Sequence, residues 1–243
     1  MNKNPHAAAR GALAEVEHKQ RPHTLIEEAY RKIKQMLLEQ KFAPGQRLVN
    51  SDLVEILSMS RTPIINALNR LVQDGFIGFE GFRGFYVRPI DTQEVWEAFG
   101  VREALEVYAV EQAIKLSDTR DMVGLEEKLK NHAEYKPHYY TRRKFILDSE
   151  FHLHIATMAK NQILRWLLKR NFEHIFLRAR LDHYDPRRMV SSAQEHYELV
   201  ERMKKKDILG SVERVRSHIQ KARDEVVRCL STEEVEEAET VEV

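Results

Sequence analysis

Asp148 and His152 stand four residues apart in a stretch with helical periodicity, so their side chains fall on one helix face. A carboxylate and an imidazole at that spacing make a natural two-ligand unit for a divalent cation. Two more imidazoles follow on later helical stretches: His196, within Gln194–Glu195–His196, and His218, within Ser217–His218–Ile219. Three neutral imidazoles and one carboxylate suit zinc, nickel, manganese or a similar ion. Spacing alone leaves a blander reading open. The chain holds 11 histidines, and His154, His174 and His183 are as visible as the three just named, so any of them could be a surface or capping residue.

A different chemistry opens at Ser60–Arg61–Thr62–Pro63. An apolar helix follows and then a turn at Arg83–Gly84, which together read as a helix-turn-helix with a wing. The second helix of such a unit lies in the major groove, and its N-terminal residues meet base edges. With Ile64, Ala67, Leu68 and Leu71 turned to the core, the opposite face carries Arg61, Thr62, Ile65, Asn66 and Asn69. Arginine suits guanine O6 and N7, asparagine suits adenine N6 and N7, and an aliphatic side chain suits the thymine methyl. Arg83 at the wing tip is placed to reach a phosphate or the minor groove. The alternative is a merely solvated polar face, with Ile65 half-buried.

The elements that must position these residues are legible from periodicity. Residues 1–23 read as a flexible arm. Thr24 and Glu27 have capping-box spacing, and Ile26, Ala29, Tyr30, Ile33 and Leu37 line one face of the helix they open, with Pro44–Gly45 as its stop. Asn50 is expected to cap a short second helix, Ser58–Met59 to turn, and Ser60 to cap the third, with Pro63 in its first turn where a missing N–H does no harm. Short aromatic runs at Phe76–Phe79 and Phe85–Arg88 read as a hairpin. Residues 24–90 thus form a winged helix-turn-helix, and Pro89–Thr92 a boundary. Helices are expected over 93–116, 119–134, 137–160, 162–183, 187–205 and 207–230, an all-α bundle. The last residues, 231–243, carry six glutamates between Glu233 and Glu242 and are expected to be disordered. The fold class is mainly α.

The charge balance conceals an asymmetry. The whole chain of 243 residues is +1, but residues 1–90 carry 13 Lys/Arg against 9 Asp/Glu, and the remainder is net −3. A modestly positive first domain suits contact with phosphates, although this excess is common in soluble domains. No apolar run suggests a membrane span, and the single Cys229 excludes an internal disulfide and fits a reducing cytoplasm.

The segment Leu48 to Val87 resembles the winged helix-turn-helix of the GntR family of bacterial regulators, with its Ser-Arg-Thr-Pro start, its Ala-Leu pair and its closing Arg-Gly in register. Two departures matter. Ile65 stands where the family usually has a DNA-contacting arginine, with Asn66 in place of glutamate, and Ser51 stands where many relatives carry a charge. The family's operator sequence therefore does not carry over. Residues 93–230 are similar to the FCD ligand-binding domain of the FadR-type subfamily. Asp148, Phe151, His152 and Asn161 match its signature, followed by Glu195–His196 and His218. The resemblance implies that Asp148, His152, His196 and His218 hold a metal, and it argues against a fatty-acyl effector. It also implies that Arg102, in Val101–Arg102–Glu103–Ala104–Leu105–Glu106, faces the cavity and clamps a carboxylate, the alternative being a surface ion pair with Glu106. Arg178 and Arg180 are weaker candidates for the cavity.

The expected protein is a cytoplasmic, ligand-responsive regulator that binds a double-stranded DNA operator as a homodimer and answers to a small carboxylate or hydroxy-acid. A dimer is expected because one short recognition helix makes few base contacts. The rival is a metal-dependent hydrolase or oxygenase-like enzyme with an accessory DNA-binding domain, which leaves the winged helix without a purpose.

Overall fold

The computed structural model describes the backbone of residues 24–178 and 183–241 and the side chains through Thr232; the expected arm, 1–23, and Arg180 lie outside the described residues. Helix α1 spans Leu25–Leu38, and the Thr24 hydroxyl accepts from the N–H of Glu27 as the spacing predicts. Its buried residues Ala29, Ile33 and Leu37 form one stripe against α3. It ends at Leu38, before Pro44–Gly45, because Gln40 already turns left-handed. Helix α2 spans Asn50–Leu57. Val49, not Asn50, is its N-cap, and Asn50 Oδ1 is buried without a hydrogen-bond partner. Ser58 makes the αL turn, and Ser60 sits at the N-cap of α3, Arg61–Gln73, without a capping bond from its hydroxyl. Strands β1, Ile77–Glu80, and β2, Gly84–Val87, pair antiparallel with Phe79 opposite Phe85. Gly84 has φ +76°, so the wing's return needs a residue without Cβ strain.

Among the described residues six helices follow: α4 Thr92–Leu116, α5 Thr119–Glu134, α6 Arg142–Met158, α7 Gln162–Arg178, α8 Pro186–Lys204 and α9 Ile208–Val241. Their bounds depart from expectation most at the start of α6 and the end of α9. Helix α6 begins at Arg142 rather than 137, because Thr141 caps it by accepting from the N–H of Lys144 and the chain bends at His138–Tyr139. Helix α7 is described through Arg178, and His183–Tyr184 are outside helix. Helix α9 also runs on through the acidic segment to Val241, where disorder was expected; Glu and Ala are strong helix formers.

Two hydrophobic cores result, one per domain. The bundle core runs from Val95 and Phe99 through Phe151, Leu168 and Phe172 to Ile219 and Val226. Helix α7 crosses the joint, because its Leu177 belongs to the core of the winged helix. Around it, Lys34 pairs with Glu173 at 2.8 Å, Arg170 with Asp74 at 2.9 Å, and His174 Nε2 lies 3.0 Å from the Asp74 carbonyl. A Cβ at Gly75 would approach the His174 ring to 3.0 Å, so the close seat of α7 on this turn depends on glycine.

Candidate metal centre and nucleic-acid interface

Helices α6, α8 and α9 bring Asp148, His152, His196 and His218 together in the middle of the bundle. One ligand atom from each lies within 4.8 Å of the others, and the three imidazoles are buried. Nδ1 of His152 is 2.5 Å from Glu106 Oε2, and Nδ1 of His218 is 2.8 Å from Glu195 Oε2. Glu195 accepts from the Nδ1–H of His218, and Glu106 pairs with the Nδ1 side of His152, so both Nε2 atoms are turned to the centre. There Nε2 of His218 lies 3.2 Å from Nε2 of His152 and 3.2 Å from Nε2 of His196. Lone pairs at that distance repel unless a proton or a cation lies between them. The donor set therefore fits a divalent ion.

The electrostatics point the same way. Burial pushes His218 down to about 4 and His196 well below its ordinary value, so these imidazoles are neutral at pH 7. Burial alone would raise Asp148, but His152, His132 and the Arg102 guanidinium hold its carboxyl below the usual range. Glu106 is likewise raised by burial and brought down to about 2 by Arg102 and His152. Neutral imidazoles and ionised carboxylates are the states metal binding requires.

Arg102 is not at the surface. It does pair with Glu106, at 2.6 Å, yet this is no surface bridge, since both residues are buried. Its Nη2 makes no hydrogen bond, stands 4.0 Å from Asp148 Oδ2, and belongs to the lining of a cavity of about 30 Å³. Lys144, Arg188, Tyr140 and Tyr184 line the same cavity. Arg178 does not: it donates to the carbonyls of Arg88 and Pro89 and pairs with Glu94, which locks the linker between domains.

Sequence reasoning missed His132. It is buried on α5, with Nδ1 3.4 Å from Nδ1 of His196 and Nε2 3.7 Å from Asp148 Oδ1. Burial pushes it down to about 4. No periodicity links it to the other ligands, so no sequence signal was available. Glu195 was noted only as His196's neighbour, whereas its carboxylate serves His218 on the next helix.

On the other domain, Arg61, Thr62, Asn66 and Asn69 are exposed on α3, and Ile65 is half-buried. Arg61 borders a cleft of about 550 Å³ with Arg47, Asn50, Ser51, Phe79 and Gly84, so recognition helix and wing share one face. Arg83 folds back: its guanidinium donates to the Gly45 carbonyl at 2.6 Å and covers the Tyr86 ring at 4.5 Å. The outermost wing side chain is Phe82, fully exposed.

A winged helix-turn-helix joined to a helical bundle with a buried polar centre is the architecture of a two-domain DNA-binding regulator. Residues 25–87 match the family "bacterial regulatory proteins, gntR family" and residues 97–221 match the FCD domain, so the chain belongs to the FCD-bearing gntR regulators. It is 28% identical over 191 residues to the uncharacterized HTH-type transcriptional regulator YdhC of Bacillus subtilis, covering 78% of this chain and 85% of that one. To the Nta operon transcriptional regulator of Aminobacter aminovorans it is 26% identical, covering 80% and 91%. Its fold is similar to that of E. coli McbR/YncC, with a TM-score of 0.73 and 22% identity over 84% of this chain and 98% of the other. The chain is a DNA-binding transcription regulator, and no described helix is long and apolar enough to cross a membrane.

Proposed function

We propose that this regulator senses a small organic acid through a divalent ion held by Asp148, His152, His196 and His218, and that it does so as a homodimer in the cytoplasm. The observation that carries the reading is the convergence of Asp148 with three buried imidazoles, the Nε2 of His218 lying 3.2 Å from those of His152 and His196. Zinc, nickel and manganese are the candidates. The bound ion supplies open coordination positions to a carboxylate or hydroxyl oxygen.

Charge accounting supports an anionic effector. Arg102, Lys144 and Arg188, with Lys221 on Glu195 from the rim, already offset Glu106, Asp148 and Glu195 around the cavity. A divalent ion then leaves a buried positive excess, which an anion neutralises. Arg102 Nη2, without a hydrogen bond of its own, is the group to pair with a carboxylate. Exposed Val101 and Tyr108 on α4 and Ile163 and Trp166 on α7 offer apolar surface for a second copy. The DNA-reading set is Arg61, Thr62, Ile65, Asn66, Asn69, Gly84 and Arg83, the last after release from Gly45.

Metal analysis of the purified chain beside a His152→Ala/His196→Ala variant tests the assignment. We expect about one ion per chain in the parent and none in the variant. Equal metal in both rules the centre out.

A further inference from the structure

The metal-side cavity is too small for a whole effector. Its volume of about 30 Å³ has room for only about two water molecules. A carboxylate head could be admitted by modest adjustment, but the rest of the molecule must lie elsewhere. A second hollow begins at the same wall. It is a groove of about 600 Å³ between α5 and α8, within the size range of small-molecule sites. Lys144 and Met189 line both the cavity and the groove. The partition therefore includes a methionine and a four-carbon lysine stem, both readily re-packed.

The groove's lining is chemically specific. Pro186, Val190, Ala193 and Tyr197 recur at helical spacing along one stripe of α8 and face the end of α5 and the loop after it. Val190 is 73% and Tyr197 53% exposed, so this apolar stripe is left uncovered within the chain. Tyr135, Pro137 and Tyr197 offer flat faces suited to a ring. Lys144 Nζ, bonded to the carbonyls of His132 and Tyr135, marks the inner end with a cation.

We propose that this groove seats the apolar tail of the effector, whose carboxylate passes Lys144 and Met189 to the metal-side cavity, and that the effector is an arylalkyl carboxylate. The inference rests on the reading that the cavity takes a metal-bound carboxylate. Continuity with that cavity selects the occupant: a tail in the groove is the extension of a head already placed.

The test is calorimetric titration of the zinc-loaded full chain with acetate, phenylacetate, 3-phenylpropionate and 4-phenylbutyrate. We expect at least one arylalkyl acid to bind tenfold or more tightly than acetate. Ala193→Trp, which fills the groove, should abolish that gain and leave acetate affinity within about twofold. Val190→Glu, an exposed change that puts a charge beside the apolar tail, should cut the gain without disturbing the fold. Acetate binding with no gain from the ring, or a gain that survives both variants, overturns the groove assignment while leaving the carboxylate reading intact. No binding of any acid, acetate included, overturns both. A drop in oligomeric state in Ala193→Trp on size-exclusion chromatography would assign the groove to a second copy of the chain and also overturn the proposal.

Discussion

At the scale of single residues, the centre is organised by groups that would not touch an ion. Glu106 and Glu195 each hold an imidazole by its Nδ1 and so decide which nitrogen faces inward. Outer partners of this kind are commonly worth about 10–100-fold in metal affinity. Glu195→Gln should therefore weaken zinc binding by roughly that factor in a competition titration, while saturating zinc still loads one ion per chain. An unchanged affinity would mean that His218 is oriented by packing alone. Arg102→Ala should instead act on stability, because it strands the buried Glu106 carboxylate, a loss of about 3–5 kcal/mol in denaturant unfolding of the metal-free chain. The four candidate ligands were legible in the sequence: Asp148 and His152 by their i, i+4 spacing, His196 and His218 through family resemblance. His132 and the roles of the two glutamates were not. Glu195 adjoins His196 along the chain, yet one residue is about 100° of helix, so its carboxylate serves His218 across the bundle rather than its own neighbour.

At the scale of elements, α3 shows what periodicity can and cannot specify. The apolar residues Ile64, Ala67, Leu68 and Leu71 fix its buried face, and the exposed face follows by elimination. Periodicity does not say that Arg83 folds onto Gly45, a tertiary contact across 38 residues. Nor does it place the start of α6, where the Thr141 cap outweighs the helical pattern read upstream of it. Arg61→Ala should weaken binding to DNA from the region upstream of this gene by about 1–3 kcal/mol in a gel shift, with relaxed discrimination against other sequences. An equal loss on every sequence would demote Arg61 to a phosphate contact. Helix α7 carries a pH dependence of its own. Burial, aided by Arg178, lowers His174, whose Nε2 faces the Asp74 carbonyl. A histidine lowered in the folded state takes up its proton more readily when unfolded. Its contribution is thus intact above the unfolded value and lost as pH falls from about 6.5 through the lower folded value. His174→Gln should lose less Tm than the parent between pH 7 and 5. Parallel curves would show that the His174 ring does not contribute to the acid sensitivity.

At the scale of the whole molecule, α7 is the element shared by the two sites. One side holds Phe172, which lies under the Arg102 guanidinium at 4.5 Å and 5.9 Å from the His152 ring, and Ile175, which lines the cavity. The other side holds Arg170, His174, Leu177 and Arg178, which seat the winged helix and its linker. An effector that prefers one position of Phe172 and Arg102 would bias the position of the recognition helix through a single rigid rod. Such coupling amounts to about 1–3 kcal/mol in typical regulators, and it is reciprocal: the acid changes DNA affinity by the same factor as DNA changes acid affinity. Arg178→Ala cuts the bonds from α7 to Arg88, Pro89 and Glu94 without touching either binding surface. The variant should retain zinc content and still bind both the DNA and an acid such as acetate. The factor by which each alters the affinity of the other should fall toward one. If the factor stays at the parent value in both directions, the signal runs through the dimer interface or α4, and α7 is only a structural support.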